Sequence, residues 1–170
     1  MRLTRRELLI ASAAAACLPR ASFADASALS AAAHDALGTS PLVYVSALRR
    51  DGSESRCHAE VWFVRDADSA LVVTGSQAWR AQAIGKGLAR ARLWVGDFGG
   101  WSGKPDDQRY QAGQAFLAEA TLEKTQPAHD HALALFGSKY TKEWGSWGPR
   151  FKNGLADGSR VLIRYRAIPA

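Results

Sequence analysis

Apolar and polar residues alternate in short runs along most of this chain, and a period of two predicts strands. From Leu42 to Leu48, the side chains of Val43, Val45 and Ala47 fall on one face and those of Leu42, Tyr44, Ser46 and Leu48 on the other. Arg50-Asp51-Gly52-Ser53 then reads as a turn, because Asp-Gly is a strong hairpin signal. A return strand is expected from about Arg56 to Val64. Its small apolar face, Cys57, Ala59, Val61 and Phe63, suits a barrel interior, and its other face carries Arg56, His58, Glu60 and Trp62. After a turn at Asp66-Ala67-Asp68-Ser69, Ala70 to Thr74 is a short apolar strand. Arg92 to Phe98, Phe116 to Lys124 and Arg160 to Ile168 complete the predicted strands.

The period lengthens to that of a helix over residues 76–90, where Trp79, Ala83, Ile84 and Leu88 recur at helical spacing. Gly85 and Gly87 weaken the second half of that helix. His129 to Tyr140 is a second helix, with Leu133 and Phe136 three residues apart. Residues 25–40 are rich in Ala and Ser and read as a helix or a loose lead-in, punctuated by Pro41. Residues 101–111 are a polar loop, and 143–158 a Trp- and Gly-rich stretch with Trp144 and Trp147 in a glycine-flanked loop. Hairpins, then one helix, then more strands favour a mainly β, closed antiparallel barrel with helices on its outside, and contradict a βαβ repeat.

The N-terminal 24 residues follow another pattern. Thr4-Arg5-Arg6-Glu7-Leu8-Leu9-Ile10 opens into an alanine-rich apolar run through Leu18, and Ser22-Phe23-Ala24 offers small residues at a cleavage site. This order is that of a twin-arginine secretion signal, so export, to a periplasm or a comparable compartment, is expected. A lipoprotein signal ending at Ala15-Ala16-Cys17 fits less well, since the usual leucine three positions before the cysteine is missing. The run is too short and too rich in alanine for a membrane span. The expected organisation is a signal over 1–24, a lead-in over 25–41 and one barrel domain over 42–170.

Charge and cysteine count then narrow the chemistry. The formal charge of +6 falls to +3 once the signal's four arginines and one glutamate are removed. That argues weakly for an anionic ligand and gives no footprint for nucleic acid. Only Cys57 survives cleavage, and a lone cysteine makes no internal disulfide; a small buried apolar residue is its simplest reading. The pair His129-x-His131 has no standard zinc spacing, and neither a Gly-x-Ser-x-Gly elbow nor a phosphate-binding P-loop is present. Ser46 or Ser76 with His58 forms a conceivable nucleophile pair that nothing in the spacing requires. Six tryptophans are many for this length, and indoles stack on planar ligands such as isoalloxazine or porphyrin.

The span from about Val43 to Phe98 resembles the pyridoxamine 5′-phosphate oxidase-like, FMN-binding split-barrel family. Four features in order carry the resemblance: Tyr44-Val45-Ser46-Ala47-Leu48 leading to Asp51-Gly52-Ser53; a strand ending in Val61-Trp62-Phe63; Leu71-Val72-Val73-Thr74 running into Gly75-Ser76; and a helix opening with Trp79-Arg80. The span is about a third of the chain. The resemblance implies an antiparallel split β-barrel, an FMN cofactor and a homodimer. It implies phosphate binding by Thr74, Ser76 and Arg80 beside Trp79, with Arg56 and His58 near the ring or ribityl chain and Trp144 and Trp147 as a lid. Glu60 departs from it, standing where the family often has a small residue or proline. Two readings follow. One is an exported FMN-dependent oxidoreductase whose substrate the sequence does not name. The other is a non-catalytic module for haem, flavin, a deazaflavin or another planar anion.

Overall fold

The computed structural model describes residues 29–104 and 106–169. The signal expected over residues 1–24 lies outside the described residues. In chain order the elements are α1 (Ala31–Thr39), β1 (Leu42–Leu48), β2 (Glu54–Trp62), β3 (Val64–Asp66), β4 (Ser69–Gly75), α2 (Trp79–Gly85), β5 (Arg90–Val95), β6 (Gln114–Glu123), α3 (Gln126–Lys139), α4 (Trp144–Asp157) and β7 (Arg160–Ile168). A short 3-10 turn, Arg109–Ala112, precedes β6. No helix among the described residues is long and apolar enough to cross a membrane.

All seven strands join one antiparallel sheet in the order β2-β1-β5-β6-β7-β4-β3. The two outer strands, β2 and β3, are separated by one residue, Phe63. The sheet has therefore rolled until its edges meet, and a single bent strand carries the chain from one edge to the other. The bend takes Phe63 out of strand pairing, and α3 satisfies its backbone. The Phe63 N–H donates to the Tyr140 hydroxyl (3.0 Å), which lies 2.7 Å from the Phe63 carbonyl and 2.8 Å from the Pro41 carbonyl. The Lys139 ammonium donates to the same Phe63 carbonyl at 3.0 Å and sits 3.5 Å from the Phe63 ring centroid.

Strand alternation sorts the apolar residues into two cores. Val43, Val45, Leu93, Ile163 and Tyr165 fill the barrel, and Ala33 and Leu37 of α1 pack against them. Leu71, Val73 and Leu162 face outward and meet Ala132, Phe136 and Tyr140 of α3 and Phe151 and Leu155 of α4. β4 is apolar on both faces because both are covered, which explains its unbroken hydrophobic run.

Several expectations are corrected. The helix expected over 76–90 is only Trp79–Gly85; Gly87 adopts a positive φ (+77°) and reverses the chain. Glycine reaches that backbone region without a Cβ clash. The strand expected from Arg56 to Val64 is broken at Phe63. The reading of Cys57 as a barrel-interior residue fails: β2 is an edge strand with a partner on one side only, and Cys57 is exposed. The glycine-flanked tryptophan loop is the first half of α4. Its Pro149 cannot donate to the Gly145 carbonyl, but Gly145 is exposed, so that acceptor is open to solvent.

Candidate functional site

β2 pairs only with β1, and the end of β4 pairs only with β7, because β3 reaches no further than Leu71. Between these two unpaired edges lies a groove of about 510 Å³. Glu60, Val61 and Trp62 of β2 form one wall, and Val73, Thr74 and Gly75 of β4 the other. Arg80 from α2, Trp147 and Phe151 from α4, and Arg160 from the start of β7 converge on it.

Arg80 is the most constrained charge here. Its Nε is buried and has no hydrogen-bond partner, and its guanidinium lies 5.6 Å from the Trp79 ring centroid. Burial pushes the guanidinium below its ordinary value, but an arginine starts so high that it stays charged at neutral pH. Arg160 reaches the groove from β7, where it pairs with Gly75 at the end of β4. Its stem lies across Gly154, where an added Cβ would sit 2.7 Å from Cγ and Cδ, and its guanidinium lies 5.4 Å from the Phe151 ring and 5.9 Å from the Trp147 ring. Neither arginine has an ion-pair partner among the described residues. Two unpaired guanidiniums beside indole and phenyl rings suit a planar ligand with an anionic tail.

Of the residues expected at the site, Thr74, Arg80 and Trp147 line the groove together. Ser76 does not: its N–H donates to the Ser159 carbonyl, its own carbonyl accepts from Gln82, and Ala78 rather than Ser76 caps α2. Trp79 lies behind Arg80, against α2 and the barrel wall. Trp144 lies outside the groove, pressed into notches at Gly137 and Gly148 and stacked on Phe136. Of the two tryptophans expected as a lid, Trp147 is a wall of the groove and Trp144 a packing residue.

Arg56 is exposed on β2 outside the groove. His58 belongs to a separate cluster roofed by the 96–113 segment. Its Nδ1 lies 2.7 Å from Ser46 Oγ and 3.3 Å from the Tyr110 hydroxyl, with the Trp101 ring edge-on. Burial lowers its pKa, which favours neutral imidazole, and the charge of Glu54 opposes this. Ser46 and His58 do meet, but Ser46 is 0% exposed, so no substrate reaches its hydroxyl. No group of His, Cys, Asp and Glu suited to a metal ion occurs among the described residues.

Sequence reasoning missed Arg160 and Phe151. Only the six-residue step from Gly154 to Arg160 hints at their meeting, and that step becomes meaningful once α4 is known to be a helix turning back through Gly158 (φ +77°).

No family model matches this chain, and no curated protein sequence matches it. Solved structures do. The haem storage protein HutZ of Vibrio cholerae superposes with a TM-score of 0.56 at 11% identity, over 81% of this chain and 88% of that one. A proposed pyridoxamine 5′-phosphate oxidase of Listeria innocua gives 0.50 at 10% identity, over 79% and 89%. A proposed 5-nitroimidazole antibiotic resistance protein of Bacteroides thetaiotaomicron gives 0.51 at 11% identity, over 79% and 76%. This chain is a split β-barrel. In this split barrel the groove occupies the split itself, where β2 and β4 approach without pairing. Its two cations both come from elements joined to β4: Arg80 from the helix that follows it and Arg160 from β7, paired with Gly75.

Proposed function

We propose that this split barrel is an exported flavoprotein that holds FMN in the β2–β4 groove. The observation that carries the reading is the pair of unpaired guanidiniums, Arg80 and Arg160, flanking Thr74 in a groove walled by Trp147 and Phe151. A flavin phosphate is a dianion, and two guanidiniums without an ion-pair partner among the described residues match its acceptors. Trp62 and Trp147, edge-to-face at 5.7 Å, would meet the planar ring system. The size of the groove, about 510 Å³, falls within the usual range for cofactor sites.

Bound FMN supplies hydride or single-electron chemistry. The chain's own residues would anchor the phosphate, stack on the ring and exclude water. Among the described residues, Glu60 is the groove's single carboxylate, and no second acid or base lines it. This favours redox transfer carried by the cofactor over acid–base chemistry by the protein. It also supports the narrower reading of a flavin-binding module without turnover.

Haem suits the groove less well. Haem iron takes His, Met, Cys or Tyr as an axial ligand, and none of these residues lines the groove. That the haem storage protein HutZ shares the fold keeps haem in the test as a competitor.

The test is titration of the purified protein with FMN, a deazaflavin and haemin, followed by absorbance. FMN binding that Arg80→Ala and Arg160→Ala each weaken about tenfold or more supports the reading. A protein that takes up no flavin overturns it. Export is tested separately. Replacing Arg5 and Arg6 by lysine is expected to leave the full-length precursor inside the cell, and normal processing of that variant would refute the twin-arginine route.

A further inference from the structure

We infer that Glu60 selects the ligand: the groove accepts an anion at its Arg80–Arg160 end only when the same molecule presents a hydrogen-bond donor to Glu60. This deepens the flavin reading and rests on it. Glu60 lines the groove, yet it forms no ion pair with Arg80 or Arg160 among the described residues. The groove therefore has separate positive and negative poles rather than an internally neutralised pair.

The position of the carboxylate is fixed by a backbone hydrogen bond. Glu60 Oε2 accepts the backbone N–H of Trp101, which ties the 96–113 segment to β2. That segment is itself held down, since the Tyr44 hydroxyl accepts from the Phe98 N–H and donates to the Gly99 carbonyl. One backbone bond uses one of about four acceptor positions on a carboxylate, so acceptor capacity remains for a ligand in the groove that Glu60 lines. An ionised carboxylate cannot donate. It rewards a ligand N–H or O–H and repels a second anionic group placed against it.

These two properties divide planar anions into classes. A flavin phosphate carries its charge at one end and donors, the ribityl hydroxyls and the ring imide N–H, along the rest. A porphyrin dicarboxylate has two anionic arms and no peripheral donor. Glu60 favours the first and disfavours the second.

The test uses the full chain with FMN and haemin as the two probes, comparing wild type, Glu60→Ala, Glu60→Gln and Arg80→Ala. Glutamine keeps an acceptor for the Trp101 N–H and removes the charge, so it also carries the test if the alanine variant folds poorly. The expected result has opposite signs: Glu60→Ala weakens FMN about tenfold and tightens haemin, and Glu60→Gln tightens haemin with an unchanged melting temperature. Parallel weakening of both ligands would show that Glu60 only braces the 96–113 segment and would overturn the inference, as would no change in either. Arg80→Ala separates the two layers. If it weakens both ligands while the Glu60 variants change neither, the groove reading stands and the selection reading falls. If it affects neither ligand, or if wild type binds neither, the flavin reading falls and the selection reading with it.

Discussion

The Tyr140 hydroxyl has one proton and two carbonyls within reach of it. It accepts the Phe63 N–H and can donate to only one of the Phe63 and Pro41 oxygens at a time. Lys139 resolves the conflict by donating to Phe63, which leaves the tyrosine proton free for Pro41. Burial raises the Tyr140 phenol well above its ordinary value, so the proton stays in place at any ordinary pH. Tyr140→Phe would orphan the Phe63 N–H and one carbonyl at a buried bend. Each orphan costs about 1–3 kcal/mol, so a loss of roughly 2–4 kcal/mol is expected from urea unfolding. A loss below about 1 kcal/mol would mean that water replaces the hydroxyl. Phe63 itself shows what a pattern of alternation hides. Its side chain sits on the apolar face that the sequence predicts, but nothing in the residues 62–64 announces a bend there.

At the scale of elements, α4 shows how a short-range signal misleads. Glycine and proline favour loops, and Trp144-Gly145-Ser146-Trp147-Gly148-Pro149 holds three of them in six residues. The helix forms because Gly137 of α3 accepts the Trp144 indole and Gly154 accepts the Arg160 stem, contacts made only once α3, α4 and β7 have met. Gly154→Ala tests this. Alanine raises intrinsic helix propensity by about 1 kcal/mol, yet its Cβ would lie 2.7 Å from the arginine stem. The expected outcome is a folded protein with unchanged helical circular dichroism and FMN affinity reduced at least threefold, because Arg160 is pushed aside. Unchanged affinity would remove Arg160 from the site. The strands were far more legible. Their period, the Asp51-Gly52 hairpin and the Thr74–Arg80 segment all come from neighbours in sequence. Arg80 and Thr74 were readable for that reason, six residues apart, whereas Arg160 joins them across about eighty residues.

For the whole molecule, buried titrating groups set how stability responds to pH. Burial pushes the Lys139 ammonium down to about 8, below its ordinary value, so the folded state holds fewer protons there than the unfolded chain. Stability is then lowest below pH 8 and rises as pH climbs toward the ordinary lysine range. Burial moves Tyr140 and Tyr165 the other way, well above the ordinary phenol value, so above about pH 10 the unfolded chain loses tyrosine protons first and stability falls. Asp66 adds an acid limb: hydrogen bonding from Arg164 lowers its pKa, and that support is lost as pH falls below the usual carboxylate range. Urea midpoints measured from pH 6 to 11 should rise from about pH 8 and peak near 10. Lys139→Met should flatten the rise between about pH 8 and 10 and leave the alkaline fall. A midpoint that declines steadily from pH 7 would refute this assignment.

β7 lies between β6 and β4, so until residues 160–168 exist the sheet is two fragments, β2-β1-β5-β6 and β4-β3. Arg160 is the first residue of that keystone strand. A chain emerging from the ribosome accordingly lacks both the closure and the second cation of the groove until the last strand has been translated. A ligand that needs both guanidiniums could bind only after β7 has been made, and would mark a chain with a closed sheet apart from an interrupted one.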